Sequence, residues 1–168
     1  MQLNLRIENN RGIISIDVSG GALHRRGYRA KSVEAPMQET VAAAILKLID
    51  WDKKTPIHDP FCGSGTILCE ALMDYCNIPA AYLRKSFGVM MLPDFDTRIW
   101  DKIKVTSGEG IRSLPKGLIA GSDMAEQAVA ASRTNLVRLP GGKSIDVKQI
   151  TYQSVGEISG KLIVCNPP

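Results

Sequence analysis

The chain has 168 residues, of which 44% are hydrophobic and 23% charged, enough to bury one core and typical of a single globular domain. Its formal charge of +4 suits a polyanionic partner without requiring one. No apolar run approaches the roughly 20 residues that cross a bilayer, and MQLNLRIENN lacks a secretory pattern, so a cytoplasmic protein with no membrane partner is expected.

The opening runs QLNLRIE and GIISIDV alternate apolar and polar residues around Asn9-Asn10-Arg11, which predicts an antiparallel hairpin. After Gly20-Gly21 the basic, irregular stretch LHRRGYRAKS follows, and Pro36 opens MQETVAAAILKLIDW, whose helical period predicts a helix ending near Trp51. Residues 55–58 predict a short strand feeding a glycine-rich turn, and residues 66–75 a largely apolar helix. Between residues 80 and 116 two covering helices are expected, around AAYLRKSF and FDTRIWDKIKV, split by residues 90–93.

Residues 117–123 read as a buried strand ending on Asp123; the helix MAEQAVAASRTNLVRL, the turn Pro140-Gly141-Gly142 and the strand SIDVKQITY follow. A last strand over residues 161–165 leads into Asn166-Pro167-Pro168. Strands alternating with helices imply a parallel sheet with right-handed crossovers. In the doubly wound order 3-2-1-4 the first and fourth parallel strands are neighbours, so their carboxyl ends face one crevice.

Three motifs meet at that crevice. In Asp59-Pro60-Phe61-Cys62-Gly63-Ser64-Gly65-Thr66, Gly63 and Gly65 permit a tight turn and close approach of a ligand, and the helix that follows offers unpaired N–H groups. This is neither GxGxxG nor a Walker loop, and an amino-acid carboxylate suits those donors as well as a phosphate does. Asp123 stands where such sheets place an acid for ribose hydroxyls, and it also suits an N-cap. Asn166 precedes two prolines that prevent continuation of strand or helix, which leaves its amide at the sheet end. There an Asn oxygen and the next carbonyl can orient an exocyclic amine toward a methyl donor. A class I methyltransferase of α/β, Rossmann-like fold using S-adenosylmethionine is the expectation, with Asn166, Pro167 and Pro168 as the catalytic segment.

Cys62, Cys69 and Cys76 recur every seven residues and, with Cys165, form no CxxC pair, so buried reduced thiols and no metal site are expected. His24 and His58 read as structural, because displacement from a sulfonium needs no metal and little base catalysis. Arg25, Arg26, Arg29 and Lys31 are candidates for RNA-phosphate contact, with Tyr28 as a stacking partner, against the alternative of a solvated basic loop.

The segments SGGALHRRGYR, EAPMQETVAAAIL, DPFCGSGTILCEA, GSDM and the terminal NPP resemble the bacterial ribosomal-RNA guanine-N2 methyltransferases that carry a THUMP domain. The resemblance spans nearly the whole chain. It implies cofactor contacts at Asp59, Pro60, Gly63, Ser64 and Gly65, with Cys62 and Thr66 in the same loop. It further implies ribose contact at Asp123, Met124 near adenine, amine contact at Asn166 and Pro167, and Gln38, Glu39 and Thr40 facing the cofactor. Residues 1–35 would be a hairpin and basic linker following a THUMP domain, and residues 36–168 the N-terminal portion of the methyltransferase domain, cut after Asn-Pro-Pro.

Two departures from the family pattern stand out: no aromatic follows the second proline, and ITYQSVG supplies Thr151, Gln153 and Ser154 where an acid is common. A fragment is therefore expected, inactive alone, with an unpaired sheet edge that invites a second copy. The resemblance favours ribosomal RNA as partner. Adenine-N6 methylation of DNA is the alternative enzyme reading, though there Asn-Pro-Pro usually precedes the glycine loop. A non-catalytic cofactor-binding piece is the alternative outside catalysis.

Overall fold

The computed structural model describes residues 2–34, 36–156 and 160–167. β1 (Gln2–Glu8) and β2 (Arg11–Asp17) form the expected hairpin, closed by Asn9 and Asn10, both in the left-handed conformation that a two-residue turn between twisted strands requires. α1 (Glu39–Leu48), β3 (Ile57–Asp59), α2 (Thr66–Cys76), α3 (Thr97–Glu109), β4 (Ile119–Asp123), α4 (Glu126–Leu136), β5 (Asp146–Gln149) and β6 (Leu162–Ile163) follow. The parallel strands pair in the order β5-β4-β3-β6. That is the predicted 3-2-1-4 arrangement, and it places the ends of β3 and β6 side by side. No helix among the described residues is long and apolar enough to cross a membrane.

α2 supplies the centre of the core: Leu68, Cys69, Ala71, Leu72 and Cys76 are fully buried, beneath α1 and against β4 and α4. Such a helix, apolar on nearly every side, is stable only when enclosed. Its two cysteines, Cys69 and Cys76, and Cys62 in the loop before it are buried free thiols, and burial pushes those of Cys62 (to about 12), Cys69 and Cys76 upward.

The expected strands over residues 144–152 and 161–165 are shorter, Asp146–Gln149 and Leu162–Ile163, and two helices differ more. Helix α1 starts at Glu39 and stops at Leu48, because Gln38 is extended and Asp50 turns left-handed to bury Trp51, whose Nε1 donates to the Thr55 carbonyl at 2.7 Å. The helix expected around residues 80–87 is a pair of turns instead. Phe87 is extended, so that the Val89 N–H can reach the Val18 carbonyl at 2.9 Å, and a continuous helix would prevent that pairing.

Candidate functional site

β3 ends on Asp59, and the chain reverses over residues 60–65 before α2 starts. The Cys62 N–H is held by the Ser122 carbonyl at 3.0 Å, and the Gly65 N–H by the Cys62 carbonyl at 2.7 Å. Gly63 and Gly65 both have positive φ. A Cβ at Gly65 would lie 2.6 Å from Ser132 Oγ and 3.2 Å from its Cα, so this glycine lets α4 close on the loop. With Gly65 as a left-handed N-cap, α2 has no side-chain cap, and its first N–H groups are left for another partner.

Asp123 closes the loop from the far side: Oδ2 accepts the Gly63 N–H at 2.9 Å and Oδ1 the Ala125 N–H at 2.9 Å. Asp59 accepts the Phe61 N–H at 3.0 Å. Asp59 is 1% exposed; desolvation, helped by the nearby Asp123 charge, raises its pKa to about 7. A cavity of about 530 Å³ opens over the loop, within the ordinary range for a small-molecule site. Of the expected residues, Asp59, Cys62, Gly63, Ser64, Thr66, Asp123, Met124, Asn166 and Pro167 line it. Pro168 lies outside the described residues.

Pro60 and Gly65 are buried in the turn and support the loop from outside the cavity wall. Gln38, Glu39 and Thr40 are likewise displaced. Gln38 and Glu39 line a neighbouring cavity and Thr40 is exposed, while Pro36 and Met37 take the wall position. The extended N-cap turns the first turn of α1 away. Thr151, Gln153 and Ser154 are exposed and do not line the donor-side cavity.

The basic segment is only partly a surface. Tyr28 is 1% exposed and its hydroxyl donates to Glu70 Oε1 at 3.0 Å; the stacking role expected for it is corrected to a core role. Arg26 pairs with the same carboxylate at 3.5 Å. Arg29 pairs with Glu39 at 3.3 Å and donates to the Met37 carbonyl at 2.7 Å and Thr66 Oγ1 at 3.1 Å. Both guanidinium groups are thus spent on internal acids, in place of the RNA contact expected of them. Arg25 and Lys31 remain exposed.

One residue that binds the site together went unrecognised in the sequence. Asn135, fully buried in α4, accepts the Ala30 and Lys31 N–H groups at 2.8 and 3.0 Å and donates to the Lys31 and Ser64 carbonyls at 2.8 and 2.9 Å. The available signal was its position in the stripe Ala128, Ser132, Asn135, all of them buried.

Residues 26–168 match the family model "RMKL-like, methyltransferase domain" (UPF0020). The chain is 32% identical over 176 residues to the ribosomal RNA large subunit methyltransferase K/L of Aliivibrio fischeri, covering 100% of this chain and 25% of that protein. The crystal structure of SMU.472 complexed with SAH superposes with a TM-score of 0.85 at 28% identity, over 99% of this chain and 43% of the other. A "predicted N6-adenine-specific DNA methylase" from Listeria monocytogenes superposes with a TM-score of 0.87 at 28% identity, over 99% and 44%. The chain therefore spans less than half the length of these proteins.

Proposed function

The chain belongs to the RMKL-like methyltransferase-domain family, and from that premise we propose that its cavity holds S-adenosylmethionine beside an exocyclic base amine, guanine-N2 of large-subunit ribosomal RNA in the whole protein. The observation that carries this reading is the convergence of the glycine loop, Asp123 and Asn166 on one cavity of about 530 Å³. The residues present suit the cofactor: an uncapped helix start for its carboxylate, an acid at the end of β4 for its ribose, and the exposed Met124 side chain for an adenine face. S-adenosylmethionine supplies an electrophilic methyl group.

The protein's part is orientation. The Asn166 side-chain oxygen and a backbone carbonyl of the Asn-Pro-Pro segment accept the two amine hydrogens and aim the nitrogen lone pair. Asp123 fixes the donor end while holding the loop in shape. Adenine-N6 of DNA is the second reading, favoured by the name of the Listeria neighbour; the position of Asn-Pro-Pro after the glycine loop and the likeness to methyltransferase K/L favour RNA.

The test is calorimetric titration of the chain with S-adenosylmethionine, followed by transfer of labelled methyl to ribosomal RNA and to DNA by the whole protein. Absence of heat from folded chain defeats the cofactor assignment, and labelling of DNA alone defeats the choice of RNA.

A further inference from the structure

Resting on that reading and deepening it, we propose that a second cavity beside the first, with Arg25 on its wall, receives a phosphodiester of the RNA strand that carries the target base. This cavity measures about 420 Å³ and is lined by His24, Arg25, Gly27, Arg29, Gln38 and Glu39, together with Pro36 and Met37. Pro36 and Met37 also line the donor cavity, so a single stretch of chain separates the two. The Arg29 guanidinium bridges them, since it borders the second cavity and donates to Thr66 in the first.

Charge selects the ligand. Arg29 and Glu39 cancel one another as an ion pair within the second cavity, and Arg26 is committed to Glu70. Arg25 has neither an ion pair nor a side-chain hydrogen bond among the described residues, and it is exposed. The cavity therefore carries one uncompensated guanidinium, whose planar fork matches two phosphate oxygens. A strand presenting a base amine at Asn166 must lay charged backbone along the protein within a nucleotide or two. Pro36 and Met37, shared by both cavities, set the second one beside the cavity that Asn166 lines.

The experiment is fluorescence anisotropy with a labelled single-stranded RNA of mixed sequence, about 20 nucleotides long, titrated with the chain over roughly 20–200 mM salt. R25Q is compared with wild type and with K102Q, which removes an exposed charge from α3. The expected result is a threefold to tenfold loss of affinity for R25Q, with about one unit less salt slope, and little change for K102Q. Unchanged affinity and slope in R25Q, an equal loss in both variants, or no RNA binding by wild type at low salt overturns the subsite. Calorimetry with S-adenosylmethionine on the same samples separates the two claims. Intact cofactor binding with an indifferent Arg25 removes the subsite alone, whereas a wild type that takes no cofactor removes the donor site and the adjacency the subsite depends on.

Discussion

Asp123 and Gly63, sixty residues apart in the chain, are joined by a hydrogen bond of 2.9 Å between a carboxylate and a backbone N–H. An acid at the end of one parallel strand thus holds the loop that follows its neighbour. Any ligand contact made by Asp123 shares a carboxylate already engaged on both oxygens, so binding and loop geometry are inseparable in an alanine variant.

Asp123→Asn separates them in part. The amide oxygen can still accept the Gly63 N–H, although the amide nitrogen, a donor, leaves the Ala125 N–H without its acceptor; the charge that strengthens hydrogen bonds from ribose hydroxyls, worth about 1.5–3 kcal/mol each to a charged acceptor, is lost. S-adenosylmethionine affinity is expected to fall roughly tenfold or more by calorimetry, with a melting temperature lowered less than in Asp123→Ala, since one of the two loop hydrogen bonds survives. Asp123→Ala is expected to lose affinity and melting temperature together. Equal affinity of D123N and wild type would show that the carboxylate serves the loop alone.

Asp59 predicts a pH dependence. Its carboxyl has an ordinary value of 3.8 and is raised to about 7 by burial. Between those values the folded chain keeps a proton that the unfolded chain has released, so this stabilisation is complete below 3.8 and is lost as pH rises through about 7. Asp59→Asn removes the titration while preserving an acceptor for Phe61. Stability of wild type in urea should fall relative to D59N between about pH 4 and pH 7 and level off above, by an amount on the order of a few kcal/mol at most. Parallel profiles for the two proteins would refute the assignment.

Arg29 joins three acceptors: Glu39, the Met37 carbonyl and Thr66 Oγ1. Arg29→Ala leaves Glu39 buried without a cation, at a cost of about 3 kcal/mol or more in urea denaturation. A lysine cannot reproduce a planar fork that serves several acceptors, so Arg29→Lys should recover only part of the loss. The double variant R29A/E39A should be less damaged than the sum of its parts, and strict additivity would mean that the pair is not coupled.

The sheet order and the loop motif were legible because each is encoded locally: a short strand, two glycines with a helix behind them, an acid closing the next strand, and Asn-Pro-Pro after the last. Partners distant in sequence were not. Tyr28 looks like a surface aromatic among arginines until Glu70, 42 residues on, is found beneath it. The helix expected around residues 80–87 fails because Val89 must pair with Val18. Gln38, Glu39 and Thr40 yield their place to Pro36 and Met37 because the extended N-cap, with ψ of 142°, redirects the chain just before α1.

Asn135 gives the sharpest test of how the basic segment is fastened to the cofactor loop. All four of its side-chain hydrogen bonds go to backbone groups of residues 30, 31 and 64, and so tie the basic segment to the glycine loop through α4. Asn135→Ala removes every one of them and leaves backbone groups inside the protein without partners, each worth about 1–3 kcal/mol where water cannot enter. Asn135→Asp retains the two acceptor bonds to Ala30 and Lys31 but turns a carboxylate toward the Lys31 and Ser64 carbonyls, which need donors. Both variants should lose at least about 2 kcal/mol in urea denaturation. Amide hydrogen exchange should quicken at Ala30 and Lys31 in N135A, and less in N135D. Cofactor affinity should fall in both, because Val33 and Glu34, which line the donor cavity, are carried on the segment Asn135 holds. Unchanged exchange at Ala30 and Lys31 in N135A would mean that the segment is held by other contacts and that Asn135 only fills its place in α4.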